Sequence, residues 1–161
     1  MNKPLLVLDT NVVFDLLYFD DPAAQPLRRA LESGSVRCVV NAATLDEFKR
    51  VLAYPHFDMD GARQSALMGR YRAWSEMEET QDGHTSLPRC GDPDDQKFLE
   101  LAAACGAHGL VSKDHALLKL RRRCAPLFRI LSPADAVGWI AAWPSPVSPR
   151  PAAESAVAPP R

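Results

Sequence analysis

The sequence lacks any run approaching the roughly 20 apolar residues needed to cross a bilayer. Its apolar N-terminal stretch, Leu5 to Leu8, is cut short by Asp9, and Asp15, Asp20 and Asp21 follow. A secretory signal would need a longer uncharged segment and a small-residue cleavage site, so a cytoplasmic chain is expected, with no membrane partner. Neither charge is in excess. The 19 basic and 20 acidic residues leave a net charge of −1, which excludes a polycation that holds nucleic acid by bulk charge. Any such partner needs a local patch. Cysteine is sparse, at Cys38, Cys90, Cys105 and Cys124, with no C-x-x-C pair and no histidine at zinc-ligand spacing. That argues against a zinc site and for reduced, packed thiols. No internal repeat is present.

What is present suits one domain. A chain of 161 residues buries roughly two-thirds of its unfolded surface and needs no staples. Residues 144–161 carry six of the 14 prolines, spaced by Ala and Ser without apolar periodicity. This predicts a folded unit over 1–143 and a disordered tail over 144–161.

The run Leu5 to Leu8 has the pattern of a strand buried on both faces. Asn11 is placed to cap a helix carrying Val13, Leu16 and Leu17. Pro22 opens a second helix, with Leu27 and Leu31, ending near Gly34. Val36 to Val40 reads as a strand, and Asn41 caps a helix with Leu45, Phe48 and Leu52. Leu67, Tyr71 and Trp74 fall at helical spacing. After a loop from Gly83 to Gly91, Asp92 and Pro93 start a helix ending at Gly106. Leu110-Val111 is a strand, Asp114 starts a short helix, Leu127 to Leu131 is a strand, and Ser132-Pro133 caps a last helix. The order β-α-α-β-α-α-α-β-α-β-α predicts an α/β fold, a three-layer α-β-α sandwich around a parallel sheet of about four to five strands. Ligands in such sheets sit beyond the carboxyl ends of the strands.

Four acids fall there. Asp9 ends the first strand, Glu47 lies two turns into the helix after the second, Asp95 starts the helix before the third, and Asp114 follows the third. Each has a structural alternative. Asp92, Asp94 and Asp95 suit a helix N-terminus, Thr44 to Glu47 fits a capping box, and Asp114 can cap the helix after it. Asp9 is hardest to explain this way, because a carboxylate ending a buried strand is costly to leave unpaired. Helix capping does not account for the set. Gathered carboxylates raise one another's pKa unless a cation neutralises them, and Mg²⁺ or Mn²⁺ is the natural one.

At these residues the sequence resembles the PIN domain family, close to the VapC-like toxins of toxin–antitoxin pairs. The matching strings are Val7-Leu8-Asp9-Thr10-Asn11-Val12, Leu45 to Leu52, Asp92 to Ala102, and Leu110-Val111-Ser112-Lys113-Asp114. The resemblance implies a metal-dependent endoribonuclease with Asp9, Glu47, Asp95 and Asp114 as catalytic, metal-binding acids. It implies that Thr10 or Asn11 orients the first carboxylate and Ser112 supports the last, with Asp92 at the rim, and it implies an antitoxin partner. Two departures stand out. Ala116 occupies a position where relatives often carry another acid, which bears on one metal ion against two, and Lys113 replaces the small residue common before Asp114.

RNA requires positive charge beside the acids. Lys49 and Arg50 share the helix of Glu47, Lys97 is close to Asp95, and Lys113, Arg121 and Arg122 follow in the segment around Asp114. A solvated helix end is the alternative for such a run. Trp139 and Trp143, four apart, suit either packing onto the sheet or a homodimer contact. His84 and His115 stay off the catalytic set. A haloacid-dehalogenase-like phosphatase also begins with a strand-end aspartate, but needs a second acid two residues on, where this chain has Asn11. A catalytically weak PIN-like RNA-binding module is the remaining alternative.

Overall fold

The computed structural model describes residues 2–79 and 87–144. The tail expected over 144–161 lies outside the described residues from position 145 on, as do His84 and most of the loop around it. The elements are β1 (Leu5–Leu8), α1 (Thr10–Leu17), α2 (Gln25–Glu32), β2 (Arg37–Val40), α3 (Ala42–Leu52), α4 (Gly61–Ala73), β3 (Ser75–Met77), α5 (Gln96–Ala104), β4 (Gly109–Val111), α6 (His115–Leu118), α7 (Arg121–Cys124), β5 (Arg129–Leu131) and α8 (Pro133–Ala141). No helix among the described residues is long and apolar enough to cross a membrane.

The five strands form one parallel sheet in the order β3-β2-β1-β4-β5. Alternation along each strand divides the core between two faces. Leu6, Leu8, Cys38, Val40 and Val111 point to the side covered by α1 to α4 and α8. Leu5, Val7, Val39, Leu110 and Ile130 meet α5, α6 and α7 on the other. Both faces are dry, which is why β1 reads as an unbroken apolar run. Gly34 and Gly106, at φ +75° and +64°, end α2 and α5 in the left-handed turn that glycine adopts without steric cost.

Three local expectations are corrected. Ser75–Met77 forms an edge strand that the walk along the chain did not contain, because Ser-Glu-Met shows neither alternation nor branched side chains. The N-cap of α1 is Asp9, and Asn11 lies exposed inside the first turn. The capping box of α3 is made by Asn41 and Thr44, each side chain accepting from the other's backbone N–H, so Glu47 is not drawn back to the helix start.

Chain order leaves β1 centrally placed, with β2 and β3 on one side and β4 and β5 on the other. The switch in winding direction therefore falls between β1 and β4, the usual place for a ligand crevice.

Candidate metal centre

The register Leu8↔Val111 sets the site. It places Asp9, the residue after β1, beside Ser112, the residue after β4. The Asp9 backbone N–H donates to the Val111 carbonyl at 2.9 Å. Its carboxylate Oδ2 accepts from Ser112 Oγ at 2.7 Å. The same Ser112 hydroxyl accepts from the Asp114 N–H at 2.9 Å. One fully buried hydroxyl thus ties two strand-end acids together. Ser112→Ala should leave the buried Asp9 oxygen and the Asp114 N–H without this partner. The expected cost is about 1–3 kcal/mol, read as a lower urea midpoint at neutral pH; an unchanged midpoint would show the hydroxyl to be dispensable.

Asp95 arrives from the opposite direction. Asp92 caps a single 3-10 turn, Pro93–Asp95, accepting from the Asp94 N–H at 3.0 Å. The turn holds Asp95 at the start of α5 with its side chain inside. Oxygens of Asp92, Asp95 and Asp114 lie within 4.8 Å of one another. Asp92 is exposed, Asp114 half-buried and Asp95 only 7% exposed. Asp95 Oδ2 is buried with no hydrogen-bond partner.

The electrostatics follow from this crowding. Burial, and then Asp114, Asp9 and Asp92 beside it, push Asp95 up to about 8. Asp114 is held below the ordinary 3.8, first by its side-chain hydrogen bond with Asp95 and then by the Ala116 N–H it caps at 2.9 Å. Burial raises Asp9 as well; Ser112 opposes this, and the charges of Glu47 and Asp114 add to it. Every available donor is a carboxylate oxygen. A buried oxygen without a partner, among carboxylates that burial and mutual repulsion push upward, fits a hard divalent ion.

Glu47 behaves differently. It lies on α3, with Oε1 accepting from Lys97 Nζ at 2.9 Å and Oε2 from the Thr10 hydroxyl. Thr10 is thus a partner of Glu47, while the side-chain donor to Asp9 is Ser112. Lys49 and Arg50 are exposed on α3 and, with Lys97, line a groove of about 630 Å³ beside it. Arg121 and Arg122 are exposed on α7, Arg121 Nε donating to the Leu118 carbonyl at 3.1 Å. Lys113 pairs with Asp15 at 2.7 Å. Asp15 was not singled out from the sequence, although a carboxylate on the apolar face of Val12, Val13 and Leu16 signals a buried partner. Trp143 packs on its own chain, against Trp139 and His108, and donates from Nε1 to the Asn2 carbonyl at 2.8 Å.

The fold is similar to a solved one. Over 80% of this chain and 98% of the other, it superimposes with a TM-score of 0.55 and 12% identity on a chain of the crystal structure of VapBC2 from Rickettsia felis bound to a DNA fragment from their promoter. The curated proteins contain no significant sequence match. A family profile described as PIN domain matches residues 5–116, the segment from β1 into α6 that carries Asp9, Glu47, Asp92, Asp95 and Asp114, and the chain belongs to the PIN domain family.

Proposed function

We propose that the protein is a metal-dependent endoribonuclease, the toxin of a cytoplasmic toxin–antitoxin pair, acting with Mg²⁺ or Mn²⁺. The observation that carries this reading is Asp95, which has a buried Oδ2 without a hydrogen-bond partner and brings a carboxylate oxygen within 4.8 Å of oxygens of Asp92 and Asp114. Asp95, Asp114 and Asp92 would hold the ion, with Asp9 beside them. A bound divalent ion supplies Lewis acidity toward phosphoryl oxygens and a water acidic enough to be used as hydroxide near neutral pH. The protein's part is positioning. Ser112 fixes Asp9 and the Asp114 backbone relative to each other. The chain brings these acids close enough to repel one another, and a bound cation would relieve that repulsion. Lys49 and Arg50, exposed in the groove beside Lys97, and Arg121 and Arg122 on α7 offer contacts to RNA phosphates. The antitoxin is the partner suggested by the VapBC2 likeness.

Purified protein is expected to cleave single-stranded RNA with added Mg²⁺ or Mn²⁺ and to stop when EDTA is present. Asp9→Asn should lower the rate by at least ~100-fold with an unchanged circular dichroism spectrum, since asparagine can still accept from Ser112. Activity that survives EDTA, or a fully active Asp9→Asn, would overturn the assignment. Tight RNA binding without cleavage under any divalent ion would make the chain a binding module.

A further inference from the structure

We infer that Lys97 is the resident cation of the acidic site: it holds Glu47 away from the divalent ion, so that the protein takes one such ion and Lys97 stands in the place of a second. The inference rests on the metal-binding reading above and concerns how five acids divide one site.

The division is visible in the hydrogen bonds. The acids Asp92, Asp95 and Asp114 bring oxygens within 4.8 Å of one another, and Glu47 is not in that group. Both Glu47 oxygens already have donors, Lys97 Nζ on Oε1 and the Thr10 hydroxyl on Oε2. These donors are placed by the site's own backbone. Thr10 follows Asp9 directly, and Lys97 lies two residues beyond Asp95 in the first turn of α5. The pair is sheltered, with side chains 19% and 15% exposed for Lys97 and Glu47. A bond between charged groups with so little water around it resists exchange for a distant ligand.

Charge points the same way. Among the described residues, Lys97 is the one cation ion-paired with any of Asp9, Glu47, Asp92, Asp95 and Asp114; Lys113 is committed to Asp15. Position 116, at the start of α6, is alanine and adds no further carboxylate. Asp9 and Glu47 are the acids left for a second divalent ion, and Lys97 occupies Glu47. Lys97 also lines the groove with Lys49 and Arg50, so the cation facing the acids continues into the row offered to phosphate.

The test is Mn²⁺ titration by calorimetry of the full chain stripped of metal, using Glu47→Gln, Lys97→Met, the double variant and Asp95→Asn. Wild type should bind one Mn²⁺, and Asp95→Asn should weaken it at least about tenfold. Glu47→Gln should cost no more than about threefold in the wild-type background. In the Lys97→Met background, where Glu47 is released to turn toward the ion, the same change should cost at least about tenfold. An equal cost in both backgrounds, large or small, overturns the inference, and so does a wild-type stoichiometry of two. Wild type that binds no Mn²⁺ at all fails the metal reading itself and this inference with it. Lys97→Gln serves if the methionine variant does not fold.

Discussion

Asp95→Asn is expected to make the metal-free protein more stable at pH 8 while weakening its response to Mn²⁺. In the unfolded chain this carboxyl titrates near the ordinary 3.8, and in the folded chain it is pushed up to about 8, chiefly by burial. Below about pH 4 both states hold the proton and the group adds nothing to the pH dependence. From there upward the folded state retains a proton that the unfolded state has released. Stability therefore falls as pH rises, until the folded carboxyl ionises near pH 8 and the loss levels off. Asparagine does not titrate and escapes this loss. Asp114 runs the opposite way: its depressed value stabilises the fold above about pH 4 and is lost on acidification. That contribution persists in the variant, because the new amide can donate where the Asp95 proton did. The gap between variant and wild type should open above pH 4 and reach about 5 kcal/mol, or more than about 10 °C in Tm, at pH 8. Added Mn²⁺ should shrink or reverse the gap, since the folded wild type binds the ion more tightly than the variant and its Tm rises more. Melting curves at pH 5, 7 and 8.5, with and without Mn²⁺, decide it. A wild type more stable than the variant without metal at pH 8.5 would show that the buried carboxyl is not under strain.

Much of this site is written locally in the sequence. A carboxylate that closes an apolar strand has few structural excuses, and parallel strands joined by helices put all their carboxyl ends on one edge. Asp9 and Asp114 stand out in the sequence for that reason, and Asp95 stands out as an acid at the start of α5. The register is not legible. Nothing in Leu5 to Leu8 or Gly109 to Val111 says that Leu8 faces Val111, and only that pairing makes Ser112 the donor to Asp9. The partners of long side chains are equally hidden. Lys97 reads as a phosphate contact and Lys113 as part of a basic run, because flexible cations carry no sign of the acid they will meet across the fold. Short elements escape for another reason. The sheet edge Ser75–Met77 is held by backbone bonds to β2, and its half-exposed side chains leave no periodicity to read. At the start of α1, Asn11 and Asp9 are equally good caps by propensity, and the end of β1 fixes where the helix begins, so the capping position falls to Asp9. In each case a contact distant in sequence outweighs a local preference of a few tenths to about 1 kcal/mol.

Phe48→Ala should cause the largest loss of stability of any single change near the site. Phe48 is 1% exposed and follows Glu47 on α3. Its ring meets Phe14 of α1 edge-on at 5.4 Å and Tyr71 of α4 at 5.0 Å. Three helices on one face of the sheet thus share one aromatic junction, and α3 has no other ring within it. Truncation removes a large apolar surface and leaves a cavity that three separately anchored helices cannot collapse. The cost should be about 3–5 kcal/mol, a large part of the roughly 5–15 kcal/mol that holds a domain together. Tm should fall by about 10 °C for a chain of this size. Phe48→Leu, which keeps most of the volume, should cost no more than about half as much. The ring also seats the helix turn that aims Glu47 at Lys97 and Thr10. At a temperature well below its Tm, Phe48→Ala should therefore weaken the coupling between Glu47 and Lys97, seen as a larger effect of Glu47→Gln on Mn²⁺ affinity than in wild type. Urea unfolding of both variants, with Mn²⁺ titration of Phe48→Ala and its Glu47→Gln double, separates the two effects. A full loss of stability with unchanged coupling would mean that α3 holds Glu47 in place by its backbone and cap alone.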